Sequence, residues 1–352
     1  MGNPTLKDVA AHAGVSLATA SRALTGDHPM ADSTRERVLA SVEELGYRRV
    51  RAARPAAPLV AVIASTISHA AIASVVAGVE DTSAGAGRLC TISVSHADPD
   101  RELALLDNHA DDDRIGAVIV VGGLLGPTDA WRRGVTASAR RFRGRGIPLL
   151  FAGRGIRDLD LPGLTVVDYD SVGGAAAAIG GLVGRGHTAI GVVRGPQGYS
   201  TSEARQAGCR QAFAEHGLSL DDDQIMAGPL QTDTGERAVT ALLRRRPDLT
   251  AIFAENDTVA TGVIRGARLL GLRLPDDLSV VGFDDMRGAE ALVPSLTTVH
   301  TPFAELGHRA ARLALGAELG PPPREVIIGT HVVVRESVAA PRRGKLRIPQ
   351  PA

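Results

Sequence analysis

The stretch Val15-Ser16-Leu17-Ala18-Thr19-Ala20-Ser21-Arg22-Ala23-Leu24 decides how the first part of the chain reads. It fits a short helix in which Ala20, Ala23 and Leu24 share a small apolar face. Leu17, Ala18, Ser21 and Arg22 fall on the other side, free to enter a DNA groove. Just before it, Thr5-Leu6-Lys7-Asp8-Val9-Ala10-Ala11-His12-Ala13-Gly14 reads as another helix. Thr5 and Asp8 have the spacing of a capping box with Asp in the Glu/Gln place, and Gly14 supplies a stop. Leu6, Val9, Ala10 and Ala13 form one buried stripe. Ser16 is a good N-cap, so only a tight glycine turn separates two helices that make a helix-turn-helix candidate. A third helix is expected over Ser33 to Leu45, with Val38, Val42 and Leu45 inward and Gly46 ending it. The same pattern also fits a plain three-helix cap with no ligand, and pattern alone leaves both readings open.

The chain has 352 residues, too many for one ordinary domain, so two or three units are expected. With 44% hydrophobic and 22% charged residues, the composition is that of a soluble globular protein able to bury a sizeable core. A formal net charge of zero excludes polyanion binding by bulk charge and shifts attention to Arg48, Arg49, Arg51 and Arg54 at the end of the first unit. The two cysteines, Cys90 and Cys209, stand in unrelated contexts and read as reduced thiols. The N-terminus shows no charged-then-apolar signal pattern and no apolar run reaches membrane-spanning length, so a cytoplasmic protein without membrane contact is expected.

After Pro55-Ala56-Ala57-Pro58, which reads as a linker, Leu59 to Ala64 is a continuous apolar run, as in a parallel strand buried on both faces. Strand and helix then alternate. Strand patterns at 89–94, 116–121 and 147–152 are interleaved with helical ones at 74–84, 100–110 and 131–144. The rhythm restarts with strand patterns at 164–167, 189–193, 250–254 and 278–283 and helical ones at 171–184, 203–216, 234–246 and 258–270. Such alternation argues doubly wound parallel sheets, and two similar lobes with a cleft suit this many strands better than one sheet. Ligands in these folds sit outside the carboxyl ends of strands. That directs attention to Ser65-Thr66-Ile67-Ser68-His69, Gly153-Arg154, Asn256-Asp257 and Asp284-Asp285. The tail from Pro341 has no apolar period and is expected to be disordered.

These residues carry a family resemblance. Thr5-Leu6-Lys7-Asp8-Val9-Ala10, Gly14-Val15-Ser16, Thr19-Ala20-Ser21-Arg22, Thr34-Arg35-Glu36-Arg37-Val38 and Glu44-Leu45-Gly46-Tyr47 resemble the LacI/GalR family of bacterial transcription regulators. The resemblance continues, collinear, through Val167-Asp168-Tyr169, Gly186-His187, Ala254-Glu255-Asn256-Asp257, Leu274-Pro275-Asp276-Asp277, Gly282-Phe283-Asp284-Asp285 and Val334-Arg335-Glu336-Ser337. It implies a small all-α helix-turn-helix headpiece (1–47) and a hinge (48–58). It also implies an α/β two-lobed periplasmic-binding-protein-like core (59–340) and a homodimer whose headpieces each read half of an operator. The first lobe is expected over about 59–163 plus 295–320, the second over about 164–294 plus 321–340, and the tail over 341–352. By family position Leu17, Ala18 and Arg22 face base edges, while Thr5, Ser16, Thr19 and Ser21 hold phosphates. Arginine can pair bidentately with guanine, and hydroxyls at a helix N-terminus suit phosphate. Between the lobes a small effector, usually a sugar, is implied. Arg205, Asn256 and Asp284 are expected on its hydroxyls, with Arg154 and the loop residues Ile67 and His69 beside it. Asn256 reads as the pocket group and Asp257 as the helix cap.

Two regions depart from the family pattern. The hinge holds Arg49-Val50 and Ala53-Arg54-Pro55-Ala56 where a Pro-Asn and an Ala-Arg-x-Leu helix are usual, so the leucine wedge is missing and less DNA kinking is expected. Arg48, Arg49, Arg51 and Arg54 are expected to substitute by attraction to phosphate or the minor groove. In the core, Gly153 stands where an aspartate is common and Leu230 near where an aromatic residue often stacks on a sugar. An effector other than a simple hexose would suit these changes.

Other chemistry finds little support. Gly184-Arg185-Gly186-His187-Thr188-Ala189 matches a dinucleotide pattern but follows a helix and precedes a strand, the reverse of the required order. Asp168-Tyr169-Asp170 mimics the start of a calcium loop without its twelfth-position acid. No phosphate loop, serine elbow or metal-spaced His/Cys set is present, so neither catalysis, cofactor nor metal is expected. An exported solute-binding protein shares the core pattern but not the helix-turn-helix.

Overall fold

The headpiece helices form where capping and turn chemistry place them. The computed structural model describes residues 4–25, 30–45, 59–154, 156, 161, 163–317, 323–344 and 346, in two compact units divided between residues 57 and 58. In the first unit α1 (Leu6–His12), α2 (Leu17–Thr25) and α3 (Asp32–Glu44) surround Val9, Ala10, Ala13, Ala20, Ala23 and Val38. The Thr5/Asp8 capping box is complete, with the Thr5 backbone N–H donating to Asp8 Oδ2 at 2.7 Å. Gly14 takes φ +65°, where a side chain would be strained. The Thr19 N–H donates to Ser16 Oγ at 3.1 Å and so caps α2. The linker and the arginines at 48–54 lie outside the described residues.

The second unit holds β1 (Leu59–Ala64), α4 (Ala70–Gly85), β2 (Leu89–Val94), α5 (Pro99–Asp111), β3 (Ile115–Val121), α6 (Asp129–Arg145), β4 (Leu149–Ala152) and β5 (Leu164–Tyr169). It continues with α7 (Ser171–Val183), β6 (Ile190–Arg194), α8 (Ser200–Glu215), β7 (Ile225–Ala227), α9 (Thr232–Arg245), β8 (Ala251–Ala254), α10 (Asp257–Leu269) and β9 (Ser279–Val281). The closing elements are β10 (Thr298–His300), α11 (Phe303–Ala314), β11 (Glu325–Ile328) and β12 (His331–Val333). One parallel sheet has the order β11-β5-β4-β3-β1-β2 and the other β7-β6-β8-β9. β10 and β12 pair antiparallel in a separate two-stranded sheet, with Val299 opposite Val332.

Two expectations are corrected. Leu164–Tyr169 and the segment after residue 321 were expected in the second lobe. Instead β5 pairs with β4 (Leu149 opposite Leu164) and β11 with β5, so the chain leaves the first lobe only after Tyr169. Every residue of β5 is buried, and its backbone is paired on both edges, by β4 on one side and β11 on the other, a pairing with strands distant in sequence. The tail was expected to be disordered from Pro341. Yet Arg342 Nη2 donates to the carbonyls of Pro247 and Leu249 at 2.9 and 2.8 Å, and the Leu346 N–H donates to Pro247 O at 2.9 Å. Three carbonyls, counting that of Asp277, hold one guanidinium and through it residues 341–344. The tail beyond Leu346 lies outside the described residues.

α4 and α11 pack unusually closely, and both line the cleft described below. A Cβ on Gly78 would sit 2.3 Å from the Ala304 carbonyl oxygen, and one on Gly307 2.1 Å from that of Val75. Gly307→Ala should therefore push the helices apart and cost about 1–3 kcal/mol, read as a lower urea midpoint of the core. Gly85→Ala, with nothing within 4 Å of its Cβ, should be neutral or stabilising by up to about 1 kcal/mol. Equal midpoints for the two variants would contradict this account of the seam.

Candidate functional site

On α2 the small residues Ala20 and Ala23 turn inward, and Leu17, Ala18 and Arg22 are exposed together. Leu17 keeps 52% of its surface open to solvent and takes no part in the headpiece core. Arg22 Nε lies 3.2 Å from the Ala18 carbonyl, so its side chain runs back along the same face. Ser16 and Thr19 share a hydroxyl contact of 2.8 Å at the helix N-terminus, and Ser21 is half-buried. Thr5 donates its hydroxyl to Asp8 at 2.6 Å at the start of α1. Arg51 and Arg54 lie outside the described residues.

In the core a cavity of about 310 Å³ opens between the two sheets' carboxyl ends. Of the six residues expected there, His69, Arg205, Asn256 and Asp284 line it. Arg205, from α8, is buried and donates through Nη2 to Asp284 Oδ1 at 2.8 Å and to the Tyr169 hydroxyl at 3.0 Å. Its Nη1 donates to the Glu255 carbonyl, and the guanidinium lies 3.9 Å from the Phe283 ring centroid. Burial works against the Arg205 charge, but Asp284 and the neighbouring oxygens hold its pKa above the ordinary range. Burial lifts the Tyr169 hydroxyl to about 12, so it stays a neutral hydrogen-bonding group. Asp284 reaches the pair from a backbone at φ 108°, a conformation rarely seen outside glycine.

The other two expected residues lie elsewhere, which corrects those assignments. Arg154 is fully buried within the first lobe: Nη2 pairs with Glu102 at 3.1 Å, Nη1 donates to Gly122 O at 3.0 Å, and the group lies 4.7 Å from the Phe151 ring centroid. Glu102 also accepts from Trp131 Nε1 at 3.0 Å, so the arginine is a core strut committed to its own lobe. Ile67 is 56% exposed on the loop after β1, and its neighbour Thr66 lines the cavity instead. The roles of Asn256 and Asp257 are also exchanged in part. Asn256 Oδ1 caps α10 by accepting the Val259 N–H at 2.8 Å, while its Nδ2 lies 3.3 Å from His69 Nε2 of the other lobe. Asp257 instead accepts from the Thr298 hydroxyl at 2.5 Å and the Met286 N–H at 2.7 Å.

The cavity also takes residues that were not foreseen: Ile72 and Val75 on α4, Tyr169 at the end of β5, Tyr199, Gln231, and Phe303 and Leu306 on α11. Tyr169 meets the strand-end rule already applied elsewhere and could have been found by it. The helical apolar residues read as ordinary core. Next to the cavity mouth the lobes are strapped together. The Ser200 N–H donates to Leu124 O at 3.0 Å, the Gly126 N–H to Gly198 O at 2.9 Å, and the Leu124 N–H to Ser200 Oγ at 3.1 Å.

Residues 5–49 match the profile of bacterial regulatory proteins of the lacI family, and residues 179–338 that of the periplasmic binding protein-like domain. Catabolite control protein A of Priestia megaterium is 33% identical over 316 residues, covering 88% of this chain and 91% of that protein. The chain belongs to the LacI family. It is a DNA-binding transcriptional regulator with an effector-type core, like its relatives in that family. The solved complex of the transcriptional regulator CelR with cellobiose is 30% identical, with a TM-score of 0.67 over 95% of this chain and 99% of that one. The lac repressor dimer bound to operator and the anti-inducer ONPF shares the fold at 23% identity, with a TM-score of 0.70 over 96% and 100% of the two chains. Among the described residues no helix is long and apolar enough to cross a membrane, and no cluster of His, Cys, Asp and Glu could hold a metal.

Asp257 gives this site a pH signature. Burial, and then the nearby Asp284 charge, raise its pKa from the ordinary 3.8 to about 7. Between those values the folded chain holds a proton that the unfolded chain releases, so its share of stability is full below about pH 4 and is lost as pH rises through about 7. Asp257→Asn should flatten the stability profile between about pH 4 and 7. An unchanged slope in denaturation measured across that window would contradict the assignment.

Proposed function

We propose that the chain is a cytoplasmic, homodimeric repressor whose operator affinity is set by a small neutral effector, a carbohydrate, bound between the two lobes. The observation that carries this reading is a cavity lined from both lobes, with Arg205, Asn256 and Asp284 on one side and His69 on the other. A ligand touching both walls binds the closed arrangement more tightly than an open one, and so biases the population. Arginine donates, aspartate accepts and asparagine does both, which suits neighbouring hydroxyls. The CelR structure, a cellobiose complex of a similar protein, supports the choice of ligand class, and the lac repressor dimer on its operator supports dimeric DNA recognition. The protein then acts by binding, without catalysis.

In the headpiece Arg22 is assigned to a guanine edge, and Leu17 and Ala18 to apolar contact with thymine methyls. Thr5, Ser16, Thr19 and Ser21 are assigned to phosphates at the helix N-termini, with Arg51 and Arg54 adding phosphate or minor-groove attraction. The assignment is tested by a gel shift with DNA upstream of the protein's own gene, across a salt series. Saturable, salt-sensitive binding is expected, and Arg22→Ala should weaken it by about 1–3 kcal/mol, or roughly 5- to 150-fold, while sparing non-specific binding. Absence of saturable binding would remove the regulator reading, and an unchanged affinity for Arg22→Ala would remove the base contact.

A further inference from the structure

His300 and His331 stand opposite one another in the β10–β12 pair, ring centroids 5.0 Å apart and planes at 40°. His300 ends β10, where the chain passes to α11 of the first lobe, and His331 opens β12, where it returns from β11. The two rings therefore face each other at two of the three passages that join the lobes. The same spot reaches the cleft floor. The Asp284 N–H donates to Val299 O at 2.9 Å, and the next residue, Asp285, accepts from His300 Nδ1 at 3.0 Å and from Arg335 Nη2 at 2.7 Å.

These contacts decide what a proton does here. Burial works against the Asp285 charge, but Arg335 and His300 hold its pKa below the ordinary carboxylate range, so Asp285 is an acceptor only. His300 Nδ1 is then the donor, and Nε2 is the nitrogen left to take a further proton. α7 packs on both strands and supplies no titratable side chain from Ser171 to Val183, while the carboxylate of its cap, Asp170, accepts from the Gly173 N–H. On β10 itself the Thr298 hydroxyl donates to Asp257 of α10. Among the described residues Asp285 is the one carboxylate paired with either ring, so it can neutralise one histidinium and not two. Both rings reach solvent, which lets protons exchange freely and limits the repulsion between two histidinium ions to that of an exposed cross-strand pair.

We infer that the hinge is a proton-sensitive switch: when His300 and His331 are both charged, their repulsion weakens the pairing of the two crossover strands and frees the lobes to move about it. Histidine is the side chain whose charge changes between about pH 5 and 8, so the switch works within that range. Its consequence for DNA rests on the proposed coupling of lobe arrangement to operator affinity.

Hydrogen–deuterium exchange of the full chain at about pH 8 and about pH 5, corrected for the intrinsic pH dependence of exchange, tests the hinge directly. Amides at 298–300 and 331–333 should lose protection about 1.5- to 5-fold at the lower pH, and neither His300→Gln nor His331→Gln should show that loss. Asp257 also titrates in this window, but both variants retain it, so its share cancels in the comparison. An equal loss in the variants, or no loss in the unaltered chain, would overturn the switch. A gel shift with DNA upstream of the protein's own gene, at the same two pH values, reads the consequence. The ratio of affinities of the unaltered chain and His331→Gln should change between them by a similar factor. Saturable binding with one constant ratio would overturn the reach of the switch to DNA. Absence of saturable binding at either pH would instead overturn the regulator reading, and exchange alone would decide the hinge.

Discussion

The ion pair between Arg205 and Asp284 is the constraint on which the cleft depends. Burying two charges is costly, and the pair is tolerated because further groups support it: Tyr169 and the Glu255 carbonyl accept from the guanidinium, and Phe283 lies under it at 3.9 Å. Removing one partner of such a pair typically costs about 3–5 kcal/mol because the other charge is left unmatched. The pair also fixes geometry. It ties α8 to the loop after β9 and, through Tyr169, to the last strand the chain completes before it enters the second lobe. Asp284 holds a left-handed backbone to reach it, the kind of local strain that persists where surrounding contacts over-determine a site.

That floor lies where the lobes meet, so it is also where binding and lobe closure become one free energy. Three passages of chain join the lobes, after β5, after β10 and after β11, and the strap at Leu124–Gly126 and Gly198–Ser200 joins them again. Asn256 illustrates the economy of the arrangement. One end of its amide caps α10, which fixes the side chain, and the other end faces His69 across the cleft. A ligand entering here meets donors that are already oriented, so little ordering remains to be done on binding.

Much of the fold was legible because local chemistry and long-range packing agree. Thr5, Asp8, Gly14 and Ser16 set the headpiece helix ends through contacts within four residues, and the alternation of apolar runs with helical periods marked most core elements. What was lost depended on partners distant in sequence. Nothing in Leu164–Tyr169 says which sheet it joins, since a doubly buried strand reads the same in either. Arg154 follows a strand end, as ligand groups do, but its fate was decided by Glu102 and Trp131, far away in the sequence. A carboxylate and an amide are both good caps, so residue type alone could not rank Asn256 against Asp257. The apolar lining was invisible for the opposite reason: Ile72, Val75 and Leu306 look like core, and only the packing of α4 on α11 turns them toward a cavity.

The central claim is that occupancy of this cleft and binding of DNA are one coupled equilibrium. It is tested most directly by measuring the affinity of a cleft ligand for the full chain with and without saturating operator. Linkage requires the operator to change ligand affinity by the same factor by which the ligand changes operator affinity, typically about 5- to 150-fold. Equal reciprocal factors greater than one are the predicted result. A ligand affinity that is the same with and without operator would contradict the account.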